Sequence, residues 1–215
     1  MRTVLVTGFE PFDGAADNPS AMLVAALLAD PPPGMRLHGV VLPVSYAATG
    51  AALRAAVARV RPDILISTGL AGGRIELCVE RVAVNVDDSP IPDNDGERRI
   101  DRPVAPGGPA AYFSALPIKA MAAAVRAAGV PARVSQTAGT FLCNHVFYLG
   151  CHLAATAHPG LAAGFIHVPW LPSQAAARPG EPSMGFADML GGLRAALGAA
   201  VLGGADIAVA EGAVS

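Results

Sequence analysis

Charge is scarce in this chain: only 15% of its 215 residues are Asp, Glu, Lys or Arg. With a formal net charge of -2 and no Lys/Arg cluster, it offers no basic face for a phosphate backbone. Nucleic acid is therefore not an expected partner. Aromatics are also few, at 5%, while Ala and Gly supply much of the apolar majority, which points to helices packed closely on a sheet. Long uninterrupted apolar runs are missing too. The Ala/Gly-rich stretch from Leu190 to Val209 is broken by Arg194 and Asp206, so no membrane span is expected. The opening MRTVLVTGFEPFDG meets acidic and turn-forming residues too early for a secretory signal. Cysteine is limited to Cys78, Cys143 and Cys151, an odd number that suits reduced thiols in a reducing compartment better than a disulfide framework.

What is present alternates. Thr3–Thr7 is short, β-branched and apolar, and reads as a buried strand delivering a loop at Gly8. Asn18-Pro19-Ser20 then has a good cap followed by a first-turn proline, and predicts a helix running to Leu28. Leu37–Val44 predicts a strand, Ala47–Val60 a helix and Asp63–Thr68 a strand. Ile75–Val86 reads as extended, and the Pro/Gly/Asp-rich stretch Asp87–Pro109 as a long functional or mobile loop. Helices are expected at Pro117–Ala128, Asn144–Ala157 and Ser183–Val201, and strands at Ala132–Gln136 and Gly164–Val168. Strands alternating with helices imply an α/β fold, a three-layer α/β/α sandwich around a mostly parallel twisted sheet. At this length one catalytic domain, residues 1–215, is expected. Sites on such sheets lie at the carboxyl ends of strands.

Three residues there could carry chemistry. Cys143, in SQTAGTFLCNH, falls after a strand and a turn and before a helical pattern. A thiol at a helix N-terminus gains from the orphan N–H groups and the macrodipole, which favour a thiolate and could form an oxyanion hole. The alternative is a core thiol beside Phe141 and Leu142. His167, at the end of the strand Gly164–Val168, is either a base for that thiol or a satisfied core histidine. Glu80 lies in an apolar run and needs a partner: the ring of His167, or a salt bridge to Arg74 or Arg81. Cys143, His145, Cys151 and His152 share one short segment, but their spacing fits no zinc motif. Neither a G-x-S-x-G elbow nor a nucleotide-binding fingerprint occurs, Gly69–Gly73 being too irregular.

The blocks VLVTGFEPFDG with Asn18-Pro19-Ser20, AGGRIELCVERVAVN, IPDNDG, GGPAAYFSALPIK, TAGTFLCNHVFY and GFIHVPWLP occur in order over most of the first 175 residues. Together they resemble pyroglutamyl peptidase I, or pyrrolidone-carboxylate peptidase, a family of cysteine peptidases. The resemblance implies Cys143 as nucleophile, His167 as base and Glu80 as orienter. It also implies no metal or cofactor, a cytoplasmic location, a homotetramer, and N-terminally pyroglutamylated peptides as substrates. Substrate contacts implied by it are Phe9, Phe12, Asn18, Val44, Leu70, Ile91, Phe141 and Leu142, with Phe9 and Phe12 sandwiching the flat ring. Two positions depart from the family pattern: Leu70 stands where Gln is typical and Pro90 where Arg is frequent. A lactam-binding protein without useful turnover and a related cysteine amidohydrolase stay open as further readings.

Overall fold

The computed structural model describes residues 1–213. Along the chain run β1 (Arg2–Phe9), α1 (Pro19–Ala29), β2 (Met35–Leu42), α2 (Thr49–Val60), β3 (Ile64–Leu70), β4 (Leu77–Glu80), β5 (Val82–Val84) and β6 (Ala111–Phe113). They are followed by α3 (Ile118–Ala127), β7 (Ala132–Ser135), α4 (Leu142–Thr156), β8 (Ala162–Val168), α5 (Pro172–Ala175) and α6 (Phe186–Leu202). Six strands form one sheet in the order β2-β1-β3-β8-β4-β7, and β5 pairs with β6 in a separate ribbon. All neighbours in the main sheet are parallel except β8 and β4, which meet antiparallel.

Side chains of a strand alternate between faces, and the burial pattern sorts them. Val4, Val6, Ile64, Ile66, Val79, Ile166 and Val168 point to one face, where α1, α3 and α6 cover them. Leu5, Leu65, Ala163 and Phe165 point to the other, covered by α2 and α4. Each fully buried Leu or Ile in these layers contributes about 1.5–3 kcal/mol. β3 is buried at every position, as a central strand with helices on both faces must be.

The expected sandwich is present, with differences in detail. The extended stretch Ile75–Val86 is two strands, because the chain leaves the sheet at Arg81, whose N–H goes to the Ser135 carbonyl. β6 and α5 are too short to announce themselves in a periodic pattern. α4 begins at Leu142 rather than at Asn144, so Cys143 belongs to its first turn.

At the carboxyl end of β1 the chain passes very close to α1: a Cβ on Gly8 would lie 2.5 Å from the Ser20 carbonyl oxygen. Only glycine permits that approach. Phe9 N–H then donates to Ser20 Oγ at 2.9 Å, while Asn18 Oδ1 caps the helix through Ser20 N at 3.0 Å. The loop after Phe9 is thereby fixed where the sheet opens.

Candidate active site

Strand parity brings the acid and the imidazole together. In the antiparallel pair, His167 of β8 stands opposite Cys78 of β4. Glu80, two residues further along β4, shares the face of Cys78 and is the diagonal neighbour of His167. That face is the one covered by α4, the helix of Cys143. The observed contact follows: His167 Nδ1 lies 2.7 Å from Glu80 Oε1, both side chains being buried. With Nδ1–H donated to the carboxylate, Nε2 is left as the basic nitrogen.

Glu80 also meets Arg74, whose Nη1 donates to the same Oε1 at 2.8 Å. Two of the three partners considered from sequence are therefore held at once, while the Arg81 guanidinium turns to Gln136 instead. Oε2 is buried without a partner among the described residues, so the carboxylate delivers its hydrogen bonding through one atom. Burial pushes the His167 imidazole below its ordinary value, aided by Arg74 and opposed by the bond and charge of Glu80. It is accordingly neutral, and able to accept a proton, at neutral pH.

Cys143 is partly exposed at the first turn of α4, and lines a cleft together with His167, Arg74, Leu70, Pro90 and Thr140. Burial of the thiol, with the Glu80 charge adding to it and Arg74 opposing, pushes it up to about 12, against the pull of the helix N-terminus toward the thiolate. Phe141, the N-cap, is extended and its side chain caps nothing, which leaves the first-turn N–H groups of α4 for an incoming oxyanion.

Beside this cleft lies a narrow apolar cavity lined by Phe9, Phe12, Asn18, Val44, Leu70, Phe141, Leu142 and Cys143. It measures about 40 Å³. On the same scale one water needs about 10–15 Å³, so the space suits a ring of a few atoms rather than a long side chain. Phe12 and Phe9 both line it, and Phe12 has Phe141 as its aromatic partner, with ring centroids 6.4 Å apart. Asn18 Oδ1 is occupied by Ser20 N and Oγ, and Nδ2 gives one hydrogen to the Glu10 carbonyl at 3.0 Å. One amide hydrogen of Asn18 is left to offer a ligand.

Ile91, expected among the substrate contacts, lies outside the lining of this cavity, next in the chain to Pro90. Ser89 N–H is held by the Arg99 carbonyl and Asn94 N–H by the Val44 carbonyl, so the intervening chain rides over the rim and Pro90 is the residue that reaches the cleft. Asn144 carries no signal in the sequence, and His145 stands out there only among the residues considered for zinc. Asn144 bonds Val84 N and the carbonyls of Val84 and Val86, and His145 Nδ1 sits 2.9 Å from Asp87 Oδ2, which also pairs with Arg99. These two residues pin the start of the 87–109 loop to the turn that carries the nucleophile. His152 pairs with the Tyr112 hydroxyl, and no group of three or more His, Cys, Asp or Glu side chains is arranged for a metal among the described residues.

An α/β sandwich that sets a helix-end thiol beside a carboxylate-held imidazole has the group set of thiol hydrolases. The family model described as Pyroglutamyl peptidase matches residues 2–202, and the chain belongs to that family. It is 48% identical over 213 residues to the pyrrolidone-carboxylate peptidase of Klebsiella pneumoniae (strain 342), with 99% of each chain covered. To the pyrrolidone-carboxylate peptidase of Streptomyces coelicolor it is 50% identical over 215 residues, again with 99% of each covered. Among solved structures, pyroglutamyl peptidase I of Bacillus amyloliquefaciens superposes with a TM-score of 0.93 at 38% identity, covering 96% of this chain and 100% of that one.

Proposed function

We propose that this chain is a single-domain cysteine exopeptidase that removes a pyroglutamyl residue from the amino terminus of peptides. The observation that carries the chemistry is the Glu80–His167 pair facing the same cleft as the Cys143 thiol. Because the resting thiol and imidazole are both uncharged, proton transfer accompanies attack. His167 Nε2 takes the thiol proton as the sulfur adds to the carbonyl carbon, and the oxyanion meets the first-turn N–H groups of α4. The C–N bond then breaks as Nε2 passes its proton to the departing amine. Water, deprotonated in turn by Nε2, opens the thioester and restores the thiol.

Substrate choice follows from the cavity beside Cys143. Its lining contains no charged side chain, so a free α-amino group would enter at a heavy desolvation cost. A five-membered lactam is small, flat and neutral, and its carbonyl can accept the spare Asn18 amide hydrogen. Leu70 supplies apolar wall at this point. Assembly as a homotetramer and a cytoplasmic location belong to the same reading; light scattering of the purified protein tests the first. No helix among the described residues is long and apolar enough to cross a membrane.

The deciding experiment compares three amide reporters that differ only in the acyl group: pyroglutamyl, prolyl and N-acetylalanyl. Release from the pyroglutamyl reporter alone is expected, because proline carries a charged amine and the acetylated residue exceeds the cavity. Release from the other two, with the pyroglutamyl reporter untouched, overturns the assignment.

A further inference from the structure

Arg74 enters the cleft wall from the loop between β3 and β4, alongside Cys143 and His167. Its side chain is only 17% exposed, and its contacts run from the buried Glu80 carboxylate out to the exposed Thr137 carbonyl. Nη1 donates to Glu80 Oε1 at 2.8 Å and to Ser135 Oγ at 3.2 Å, and Nη2 donates to the Thr137 carbonyl at 3.0 Å. Ser135 Oγ itself donates to that carbonyl at 3.1 Å. One guanidinium thus joins the acid on β4 to the segment that runs from β7 into the nucleophile's helix. A planar fork of donors suits this; a lysine ammonium would not span the same three acceptors.

We propose that Arg74 is a positioning residue of the hydrolytic centre: it shares one oxygen of Glu80 with His167 and ties that acid to the loop that delivers Cys143. The inference rests on the thiol-hydrolase reading above and adds to it a fourth residue. Sharing has an electrostatic consequence. The carboxylate that would otherwise favour an imidazolium is partly offset by the guanidinium, which itself holds the imidazole down and pulls the thiol down against burial. The other groups facing the ring carry no fixed charge. They are Cys78 opposite it on β4, Gly69 opposite it on β3, Cys143 on α4, and the Phe165 ring, 4.7 Å away on its own strand. Arg74 and Glu80 therefore decide the field at His167.

Neutral replacement of Arg74 removes an influence that lowers the imidazole, so His167 protonates at higher pH and stops serving as a base sooner on acidification. The test is the pH profile of kcat/KM on a pyroglutamyl reporter for wild type, Arg74→Met and Arg74→Lys, with thermal unfolding of each and Cys143→Ala as reference. The acidic limb is expected to move up by about 1 pH unit in Arg74→Met. Below the limb that is about a tenfold loss of rate. Arg74→Lys should keep the limb near the wild-type position while kcat falls, since charge is retained and the bridge to Ser135 and Thr137 is not. If Arg74→Met does not fold, Arg74→Gln repeats the neutral change with some hydrogen bonding kept. Lower melting temperatures with every limb at the wild-type pH would make Arg74 a structural ion pair only, and a downward shift would reverse the sign; either overturns the inference. Full turnover by Cys143→Ala would instead bring down the reading beneath it, so the two failures are distinguishable.

Discussion

Gly69 offers a sharp perturbation of the nucleophile from a residue with no side chain. It lies in β3, paired in register with His167, at the point where the strand opens into the cleft. A Cβ built there would sit 2.7 Å from Cys143 Sγ and 2.9 Å from Phe165 Cζ. Non-bonded heavy atoms rest about 3.5–4 Å apart, so Gly69→Ala demands roughly 1 Å of displacement. Phe165 is fully buried and β3 is enclosed on both faces, which leaves the Cys143 side chain, on a partly exposed residue at the start of α4, as the group free to give way. A misplacement of about 1 Å at reacting atoms costs about 10²-fold in rate, and overpacking costs about 1–3 kcal/mol in stability. The assay pairs steady-state cleavage of a pyroglutamyl reporter with the rate of Cys143 alkylation by a neutral reagent and with thermal unfolding. The expected variant is folded, modestly destabilised, and down about 10²-fold in kcat/KM. A variant that loses stability yet cleaves at the wild-type rate would refute the placement of the thiol against β3.

Gly198, inside α6, is the control: nothing lies within 4 Å of a Cβ there, so Gly198→Ala should stabilise by about 1 kcal/mol through helix propensity and leave turnover unchanged. In the native state, iodoacetamide should label the partly exposed Cys143 first, with Cys78 and Cys151 protected until unfolding; peptide mapping checks the order. Alkali should destabilise the fold. Burial raises Cys143, Cys151 and Tyr46 each to about 12, from ordinary values of 9.0, 9.0 and 10.0. Their contribution is complete below the unfolded values and is lost as pH climbs through the interval up to the folded ones. Denaturant midpoints measured from pH 8 to about 11 should therefore fall steadily. For His167 the sign is opposite: its lowered value means that stability is lost on acidification below the ordinary imidazole range.

The alternation of strand and helix was legible because buried parallel strands and their covering helices leave strong periodic signals. Cys143 and His167 stood out as candidates because each follows or ends a strand, and Glu80 because a carboxylate in an apolar run needs a partner. Other features had no local signature. The antiparallel entry of β4, which makes Glu80 the diagonal neighbour of His167, depends on how distant segments pair. The Arg74 bridge likewise joins residues up to 63 positions apart. Asn144 and His145 look like ordinary helix residues, and only the fold shows them holding the Val84–Asp87 segment. For the thiol, helix position argues for ionisation, whereas burial, invisible in sequence, pushes the other way.

Hydrolysis as proposed requires the sulfur of residue 143 to be the atom that attacks. Its most direct test is release of reporter amine from a pyroglutamyl amide by Cys143→Ala, checked by circular dichroism to be folded like the parent. Loss of at least about 10³-fold in kcat is predicted, as for removal of any activated nucleophile. Turnover at the parental rate from the folded variant would contradict it.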